Sequence, residues 1–315
     1  MKKSIIKVIL FITGLCLILT ALSALFRPEY DVYDIKESEN VLKRLDSDPE
    51  NTVDILFAGN SEAADGFAPL KLWKDYGYSS ENTAYPSQRF GDAYAMLKQI
   101  VEKQSPELLV IETDTLFSEA DPFYNKDAVS SAAERIFTIL HYHKVIRLLK
   151  PYSTAMTESN KNANKGYWLR RGVRAYTGGN SYLERKGKKS TAFKASASGI
   201  MDQVIALCEE NNIEILLVTV PGPNYFTVAR HDYIQQWADE HGIEYIDLNY
   251  YCDEMGIDWT TDSKDAGDHL NHNGALKMNA WFGAYLNEHY DMQDHRGEEG
   301  YESWQEACDA LGGVY

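Results

Sequence analysis

The segment 53–69, VDILFAGNSEAADGFAP, constrains the fold more than any other stretch of the chain. Its apolar run 54–58 is too short for a self-standing helix and ends at a glycine, which is typical of a buried parallel strand. In open parallel sheets ligands bind outside the carboxyl ends of the strands, so we expect Ser61 to lie in that crevice. Gly59 permits a sharp turn, after which the backbone amide and the hydroxyl of Ser61 can point the same way. The sequence therefore predicts a nucleophile and one oxyanion donor on a single residue.

Strands and helices alternate along the rest of the chain. Further strands are predicted at 82–85, 108–111, 213–220 and 244–248. Helices are predicted at 35–45, 90–104, 229–241 and 273–287. This alternation predicts an α/β three-layer sandwich, in which a central parallel sheet lies between two layers of helices.

The N-terminus carries a location signal. Three lysines at positions 2, 3 and 7 precede residues 8–26, a stretch of 19 residues without a charged side chain. A helix needs about 20 such residues to cross a bilayer, and basic residues before the span keep its start in the cytoplasm. We therefore expect a single-pass transmembrane helix in the cell membrane with the remaining chain outside the cytoplasm. A cleaved secretory signal is the alternative, because Ala21-Leu22-Ser23 is a passable cleavage site; the length of the apolar stretch favours the uncleaved anchor.

Four parts are expected from this organisation. They are a transmembrane signal anchor at 1–26, a polar stalk at 27–52, one α/β domain at 53–290 with a basic insertion at 161–194, and an acidic tail at 291–315. The net charge of -16 argues against nucleic-acid binding. The four cysteines are widely spaced and form no CxxC pair, so neither a metal nor a redox cofactor is predicted.

The basic insertion differs most from the rest of the chain. It holds ten Lys or Arg residues and a single acid, Glu184, with tyrosines and a tryptophan interleaved. Cations with aromatic rings suit an anionic polymer. Nucleic acid would satisfy the same pattern, but the outward topology favours an anionic cell-wall glycan or a lipid headgroup. The alternative is a solvated insertion that pairs with the acidic surface of its own domain.

A second motif lies more than 200 residues after Ser61, where Asp265 and Asp268 precede His269 in DAGDHLNHNGALKM. A serine near the N-terminus with Asp and His close together near the C-terminus resembles the SGNH/GDSL hydrolase superfamily. The resemblance rests on Gly59-Asn60-Ser61, Gly66-Phe67-Ala68-Pro69, Asp268-His269-Leu270-Asn271 and Gly274-Ala275. The chain is most similar to the membrane-anchored cell-envelope branch, which includes DltD-like proteins and the acyltransferases that modify bacterial polysaccharides. The resemblance spans roughly residues 50–290, is weak at 120–195, and implies an SGNH/flavodoxin-like fold for the α/β domain.

This resemblance implies that His269 is the general base and that a carboxylate holds its other ring nitrogen. The family places the carboxylate three residues before the histidine, and here that position is Ala266. Asp268 is adjacent to His269 and needs a favourable backbone turn to reach the ring. Asp265 lies one residue too far, which a bulge at 266–267 would correct. Both remain candidates, and Asp265 is favoured.

The family stabilises the oxyanion with a backbone amide after the second strand and an asparagine side chain after the third. This sequence has no asparagine after the third strand. Ser87 can still supply a backbone amide, and Gln88 could replace the asparagine, because Glu112-Thr113-Asp114 follows the third strand. Alternatively, Gln88 only bonds backbone in a turn and Asp114 caps the next helix.

Together these features imply a serine esterase or O-acyltransferase that acts outside the cytoplasm, without metal or cofactor, on acyl groups of a cell-envelope polymer. The implied substrate is an acylated cell-wall polysaccharide or teichoic acid, and the implied protein partner is a membrane-bound acyltransferase. The alternative is a catalytically degenerate SGNH-like binding protein that assists such an acyltransferase.

Overall fold

The computed structural model describes residues 2–25, 35–118, 136–137, 139–142, 163–188, 191–311 and 313–315. A sheet of five parallel strands organises them. The strands are β1 (Ile55–Ala58), β2 (Ser80–Asn82), β3 (Leu108–Glu112), β4 (Glu214–Thr219) and β5 (Glu244–Asp247). Their order is β2-β1-β3-β4-β5, and every neighbouring pair is parallel. After β1, the chain forms β2 on one side of β1 and then crosses to form β3 on the other side of β1. The switch point at which ligands bind in such sheets therefore lies between β1 and β3.

The helices of the described residues fill the connections. They are α1 (Lys2–Leu25), α2 (Ile35–Leu45), α3 (Ser61–Gly66), α4 (Pro69–Tyr76), α5 (Phe90–Ile100), α6 (Ile139–Tyr142), α7 (Ala195–Asn211), α8 (Val228–His241), α9 (Cys252–Met255), α10 (His272–His289) and α11 (Glu302–Leu311). Short 3₁₀ helices occur at Thr113–Phe117, Gly179–Glu184 and Leu248–Tyr251.

Both faces of the sheet are buried. On one face Leu56 and Leu109 pack in a cluster with residues of α2, α5, α7, α8 and α11. On the other face Phe57 and Val110 pack in a second cluster with residues of α3, α9 and α10. A strand covered on both faces needs apolar side chains in both directions, which explains the continuous apolar runs of β1 and β3. The predicted three-layer α/β sandwich with a central parallel sheet is confirmed.

Most element boundaries differ from the predicted ones by a few residues. Helix α2 has the predicted bounds, whereas β2 begins at Ser80, two residues before its predicted start. Helix α7 was not predicted, although its buried residues Ala197, Met201, Val204 and Cys208 recur at helical spacing.

The predicted stalk, residues 27–52, lies partly outside the described residues. Its described part packs on the domain instead of standing apart from it. Val41, Leu42 and Leu45 of α2 are buried in the first core cluster. Arg44 Nε donates to Glu81 Oε2 at 2.6 Å, in an ion pair that is buried on both sides. The chain from α2 onward therefore contributes to the domain core.

The N-terminal helix is long and apolar enough to span a membrane. Its segment Ser4–Ala24 has a mean hydropathy of 2.6, and its apolar side chains are largely exposed. A secretory signal sequence near the N-terminus can pass the same test, so the membrane location and the orientation stay predictions.

Lys165, the first described cation of the basic insertion, joins three distant segments. Its Nζ lies 2.6 Å from Asp48 Oδ1, 3.5 Å from Glu81 Oε1 and 3.0 Å from Ser303 Oγ. The same ammonium lies 3.7 Å from the centroid of the buried Trp304 ring. One cation thus links the stalk, strand β2 and the acidic tail.

Removing this cation is expected to destabilise the fold strongly. Lys165→Met leaves the buried carboxylates of Asp48 and Glu81 without one of their cations, so we expect a loss of about 3–5 kcal/mol in the free energy of unfolding. The matched control is Lys103→Met, whose Nζ lies 2.5 Å from Asp46 at the exposed surface. That pair is solvated, so its loss should cost about 0–1 kcal/mol. Urea denaturation of both variants measures the difference, and equal losses would contradict the prediction.

Candidate active site

Ser61 begins helix α3 directly after β1, at the switch point of the sheet. Its neighbour Asn60 caps the helix, with Oδ1 accepting from the backbone amide of Glu62 at 3.3 Å. The Asn60 amide also donates to Asp114 Oδ2, after β3, at 2.9 Å. This bond crosses the gap between β1 and β3, so the turn that carries Ser61 is held by both strand ends.

Gly59 is the residue that allows this turn to lie so close to β3. A Cβ at position 59 would lie 2.8 Å from the Cβ atoms of Ala63 and Glu112. Real side chains do not approach so closely, and φ of Gly59 is +156°. The glycine therefore lets α3 and β3 pack against the serine turn from two sides.

His269 lies on the loop between α9 and α10, and Asp265 holds it. The Nδ1 atom of His269 lies 2.7 Å from Asp265 Oδ2, and its backbone amide donates to Asp265 Oδ1 at 2.8 Å. Asp268 Oδ2 is farther from Nδ1, at 3.6 Å. Ala266 and Gly267 have φ values of +65° and +95°, and this left-handed pair forms the extra turn that lets Asp265 reach the ring. Of the two predicted carboxylates, Asp265 makes the hydrogen bonds.

Buried polar contacts brace this loop against helix α3. The side chain of Asp65, which is 1% exposed, accepts from Lys264 and lies 3.3 Å from Arg170 Nε. Within the loop, Ser263 Oγ accepts from the backbone amide of Gly267 at 2.7 Å. Helix α3 and the His269 loop are thus connected although they are about 200 residues apart in sequence.

Glu62 lies between Ser61 and His269. The hydroxyl of Ser61 donates to Glu62 Oε2 at 3.0 Å, while Glu62 Oε1 lies 3.5 Å from His269 Nε2. The Nε2 atom is buried and makes no hydrogen bond in the structure. The predicted serine and histidine therefore meet through a carboxyl group that sequence reasoning missed. Its position directly after Ser61 was the available signal.

The pKa values of two buried carboxyl groups near Ser61 are raised. Burial and, next to it, the charge of Asp114 raise the pKa of Glu62 to about 7, while His269 opposes the shift. Burial, together with Asp114 and Glu62, raises the pKa of Glu112 well above its ordinary value. Arg230 donates to Asp114 Oδ1 at 2.6 Å and provides the compensating positive charge. Near neutral pH a large share of Glu62 is therefore in its acid form, and burial favours the acid form of Glu112 as well.

The other predicted oxyanion residues lie in the turn after β2. Gln88 is buried, and its side-chain amide donates to the backbone carbonyl of Thr83 at 3.1 Å, so it bonds backbone within the turn. Ser87 is exposed and has a φ of +60°. Asp114 pairs with Arg230 and Asn60, and its backbone amide donates to Glu112 at 3.0 Å. The side-chain amides of Asn60 and Gln88 are thus both engaged by protein acceptors.

Asp265, Asp268 and His269 are also the group of described residues that could hold a metal ion. Each offers one ligand atom, and these atoms lie within 4.8 Å of one another. The hydrogen bond between Asp265 and His269 Nδ1 explains why these two side chains lie so close together. No observation at this cluster points to a cation.

Comparisons with known proteins found similarity in structure alone. No family model matches the chain, and no curated protein matches its sequence. A protein from Bacteroides fragilis described as an acylhydrolase is 14% identical with a TM-score of 0.42, covering 83% of this chain and 99% of its own. A GDSL-like lipase from Bacteroides thetaiotaomicron is 12% identical with a TM-score of 0.40, covering 80% of this chain and 98% of its own. A Streptococcus protein described as a platelet activating factor is 13% identical with a TM-score of 0.40, covering 80% of this chain and 94% of its own. Similarity at this level assigns no activity to the chain.

The buried Glu62 carboxyl should make stability depend on pH. Its folded pKa of about 7 lies above the ordinary value of 4.5, so the folded protein holds this proton more tightly than the unfolded chain. The stabilisation is complete below the ordinary pKa and is lost as pH rises through the folded pKa. Glu62→Gln cannot ionise, so above pH 8 we expect it to be more stable than the wild type by up to about 3 kcal/mol.

Melting temperatures measured from pH 4 to 9 test this expectation. The gap between Glu62→Gln and the wild type should open between pH 4.5 and about 7. The exposed Glu209→Gln on α7 is the control and should follow the wild-type curve. A gap that does not change with pH would contradict the assignment.

Proposed function

We propose that this protein is a serine esterase or O-acyltransferase in which Ser61 is the nucleophile and the Asp265–His269 pair accepts its proton. One observation carries the proposal. His269 is held by Asp265 at Nδ1, 2.7 Å away, and its Nε2 is directed at the carboxyl group that binds the hydroxyl of Ser61. An oriented imidazole joined to a partly exposed serine at a strand end is the arrangement that nucleophilic acyl transfer requires.

The reaction would proceed through an acyl-enzyme. The Oγ atom of Ser61 attacks the ester carbonyl as its proton moves towards His269, and the backbone amide of Ser61 is one donor for the developing oxyanion. Asp265 fixes the tautomer of His269 and stabilises the imidazolium. Water or a sugar hydroxyl then releases the acyl group, and this choice separates an esterase from an acyltransferase.

An anionic substrate fits the cations that border the site. The backbone amide of Arg174 donates to Ser263 O at 2.9 Å, and Ala266 donates to Arg174 O at the same distance. This part of the basic insertion therefore runs along the His269 loop, with the side chains of Arg171 and Arg174 exposed. Exposed guanidinium groups beside a catalytic loop bind carboxylates or phosphates of an extended polymer.

The N-terminal helix supports a location at the membrane surface. With basic residues before the apolar span, we propose a single-pass anchor with the domain outside the cytoplasm. There the anionic polymer would be an acylated cell-wall polysaccharide or teichoic acid, and a membrane-bound acyltransferase would be the protein that supplies or receives the acyl group.

A binding role without catalysis is the second candidate. It is favoured by the side-chain amides of Asn60 and Gln88, because each already donates to an acceptor of the protein, and no asparagine follows the third strand as in the SGNH family. Such a protein would present the polymer to a membrane acyltransferase that performs the chemistry.

A fluorophosphonate probe decides between these two functions. We expect the purified protein to be labelled once, at Ser61, because the probe reports a serine activated by a base. Ser61→Ala should lose the label. Asp265→Asn should slow turnover of a generic acetyl ester by a factor on the order of 10⁴, since the imidazole loses its orienting carboxylate.

Asp268→Asn is the matched comparison for Asp265→Asn. The Asp268 carboxylate is half exposed and lies 3.6 Å from the ring, so a far smaller effect on turnover is expected. Label retained on Ser61→Ala, or the reverse ranking of the two aspartates, would overturn the assigned roles. No labelling of the wild type would favour the binding function.

The anionic substrate is tested with Arg171→Gln/Arg174→Gln. We expect KM for an acetylated uronic acid polymer to rise several-fold, because two exposed cations beside the site are lost, while turnover of neutral p-nitrophenyl acetate is unchanged. Added salt should produce the same selective effect by screening. Lys43→Gln, which changes an exposed lysine on α2, is the control. An unchanged KM for the polymer would contradict the proposal.

A further inference from the structure

The carboxyl group of Glu62 lies between the hydroxyl of Ser61 and the imidazole of His269. The Ser61 hydroxyl is directed at Glu62 Oε2, 3.0 Å away, and not at the imidazole. The other oxygen of the same carboxyl, Oε1, faces His269 Nε2 at 3.5 Å. Since Nδ1 of His269 is occupied by Asp265, Nε2 is the only ring nitrogen left to accept the serine proton. That nitrogen is buried and has no hydrogen-bond partner, so Glu62 Oε1 is the polar group that faces it.

We propose that Glu62 is a further catalytic residue, which carries the proton from Ser61 Oγ to His269 Nε2. This inference rests on the proposed function of the site, because it assigns how the nucleophile reaches its base. A carboxylic acid suits the task since one oxygen can accept a proton while the other donates one. The two oxygens of Glu62 already face the two groups that must exchange it.

The proton transfer balances without any other reactant. As Ser61 Oγ bonds to the carbonyl carbon, its proton passes to Glu62 Oε2, and the proton on Oε1 passes to His269 Nε2. Glu62 stays neutral, the imidazole becomes an imidazolium held by Asp265, and the negative charge moves to the carbonyl oxygen. When the intermediate collapses, His269 returns its proton to Oε1 and Glu62 gives the Oε2 proton to the departing alcohol as its C–O bond breaks.

The surroundings of Glu62 favour the acid form that this transfer needs. Glu62 is 7% exposed, and burial raises its pKa to about 7, with the charge of Asp114 acting in the same direction. Glu112 on β3 and Tyr225 after β4 also face it, and both have raised pKa values through burial. The opposing positive charges are His269 and Arg230, and Arg230 is already paired with Asp114. Near neutral pH a large share of Glu62 therefore carries its proton.

In the rival mechanism Ser61 rotates towards His269 and gives its proton to the imidazole directly. Two substitutions of Glu62 distinguish this direct transfer from the relay. Glu62→Gln can keep both contacts, because the amide oxygen can accept from Ser61 and the amide nitrogen can face His269 Nε2 as a donor. An amide does not exchange protons between its two ends, so only the transfer is blocked. Glu62→Ala removes the group and leaves space that a small carboxylic acid such as formate can fill.

The experiment measures the rate at which a fluorophosphonate modifies Ser61, so it needs no identified substrate. In this reaction Ser61 Oγ bonds to phosphorus, fluoride leaves, and the serine proton must be taken up. We expect Glu62→Gln to react about 10²–10⁴-fold more slowly than the wild type, which is the usual contribution of a proton-transfer group. Millimolar formate should raise the rate of Glu62→Ala at least tenfold, whereas chloride should not. Asp75→Asn on α4, a carboxylate that pairs with Lys71 at the surface, should react at the wild-type rate.

Each outcome of this experiment either supports or contradicts the proton relay. Slow reaction of Glu62→Gln at a melting temperature no lower than that of the wild type, with formate rescue of Glu62→Ala, supports the relay. Wild-type rates in Glu62→Gln would overturn it, because His269 would then take the proton directly. Slow reaction without formate rescue would also overturn it, as it would leave Glu62 only a structural role. If Glu62→Gln does not fold, formate rescue of Glu62→Ala decides alone. Failure of the wild type to react, or reaction that persists in Ser61→Ala, would instead overturn the proposed function and the relay with it.

Discussion

The parallel pairing of β1 with β3 is the constraint on which the site depends. Ile55 to Ala58 align with Leu108 to Ile111 in register, so both strands end at the same edge of the sheet. The turn that carries Ser61 and the turn that carries Asp114 therefore face each other, and the Asn60 amide joins them at 2.9 Å. Since β2 and β3 lie on opposite sides of β1, the connections diverge there and leave a crevice.

Burial controls which carboxyl groups in this crevice ionise. Three carboxyl groups from two adjacent strand ends, those of Glu62, Glu112 and Asp114, share a region with one guanidinium, that of Arg230. They cannot all ionise at little cost, because burial removes solvent and like charges repel. Asp114 pairs with the cation, while the pKa values of both glutamates are raised. The packing that creates the sheet edge thus also leaves Glu62 able to accept and donate a proton near neutral pH.

The histidine is held in place by elements far away in sequence. Asp65 on α3 binds Lys264 and Arg170, which connects the serine helix, the His269 loop and the basic insertion through one buried carboxylate. Arg174 then continues along the loop with backbone hydrogen bonds on both sides. A loop with left-handed residues at Ala266 and Gly267 would otherwise have many conformations available, and these contacts select the one in which Asp265 reaches the ring.

The sequence by itself determined the layer architecture, the serine turn and the proximity of Asp265 and Asp268 to His269. Strand burial and short-range spacing are local properties, and apolar runs, glycines and neighbouring side chains record them directly. Only the tertiary structure decided three further features: the packing of the stalk residues on the core, the engagement of Gln88 by Thr83, and the position of Glu62 between the serine and the histidine. Each depends on a contact with a segment or backbone group whose position the local pattern does not encode. The identity of Glu62 was visible next to Ser61, but its role required knowing where His269 lies, and that follows from the packing of α3 against a loop about 200 residues later.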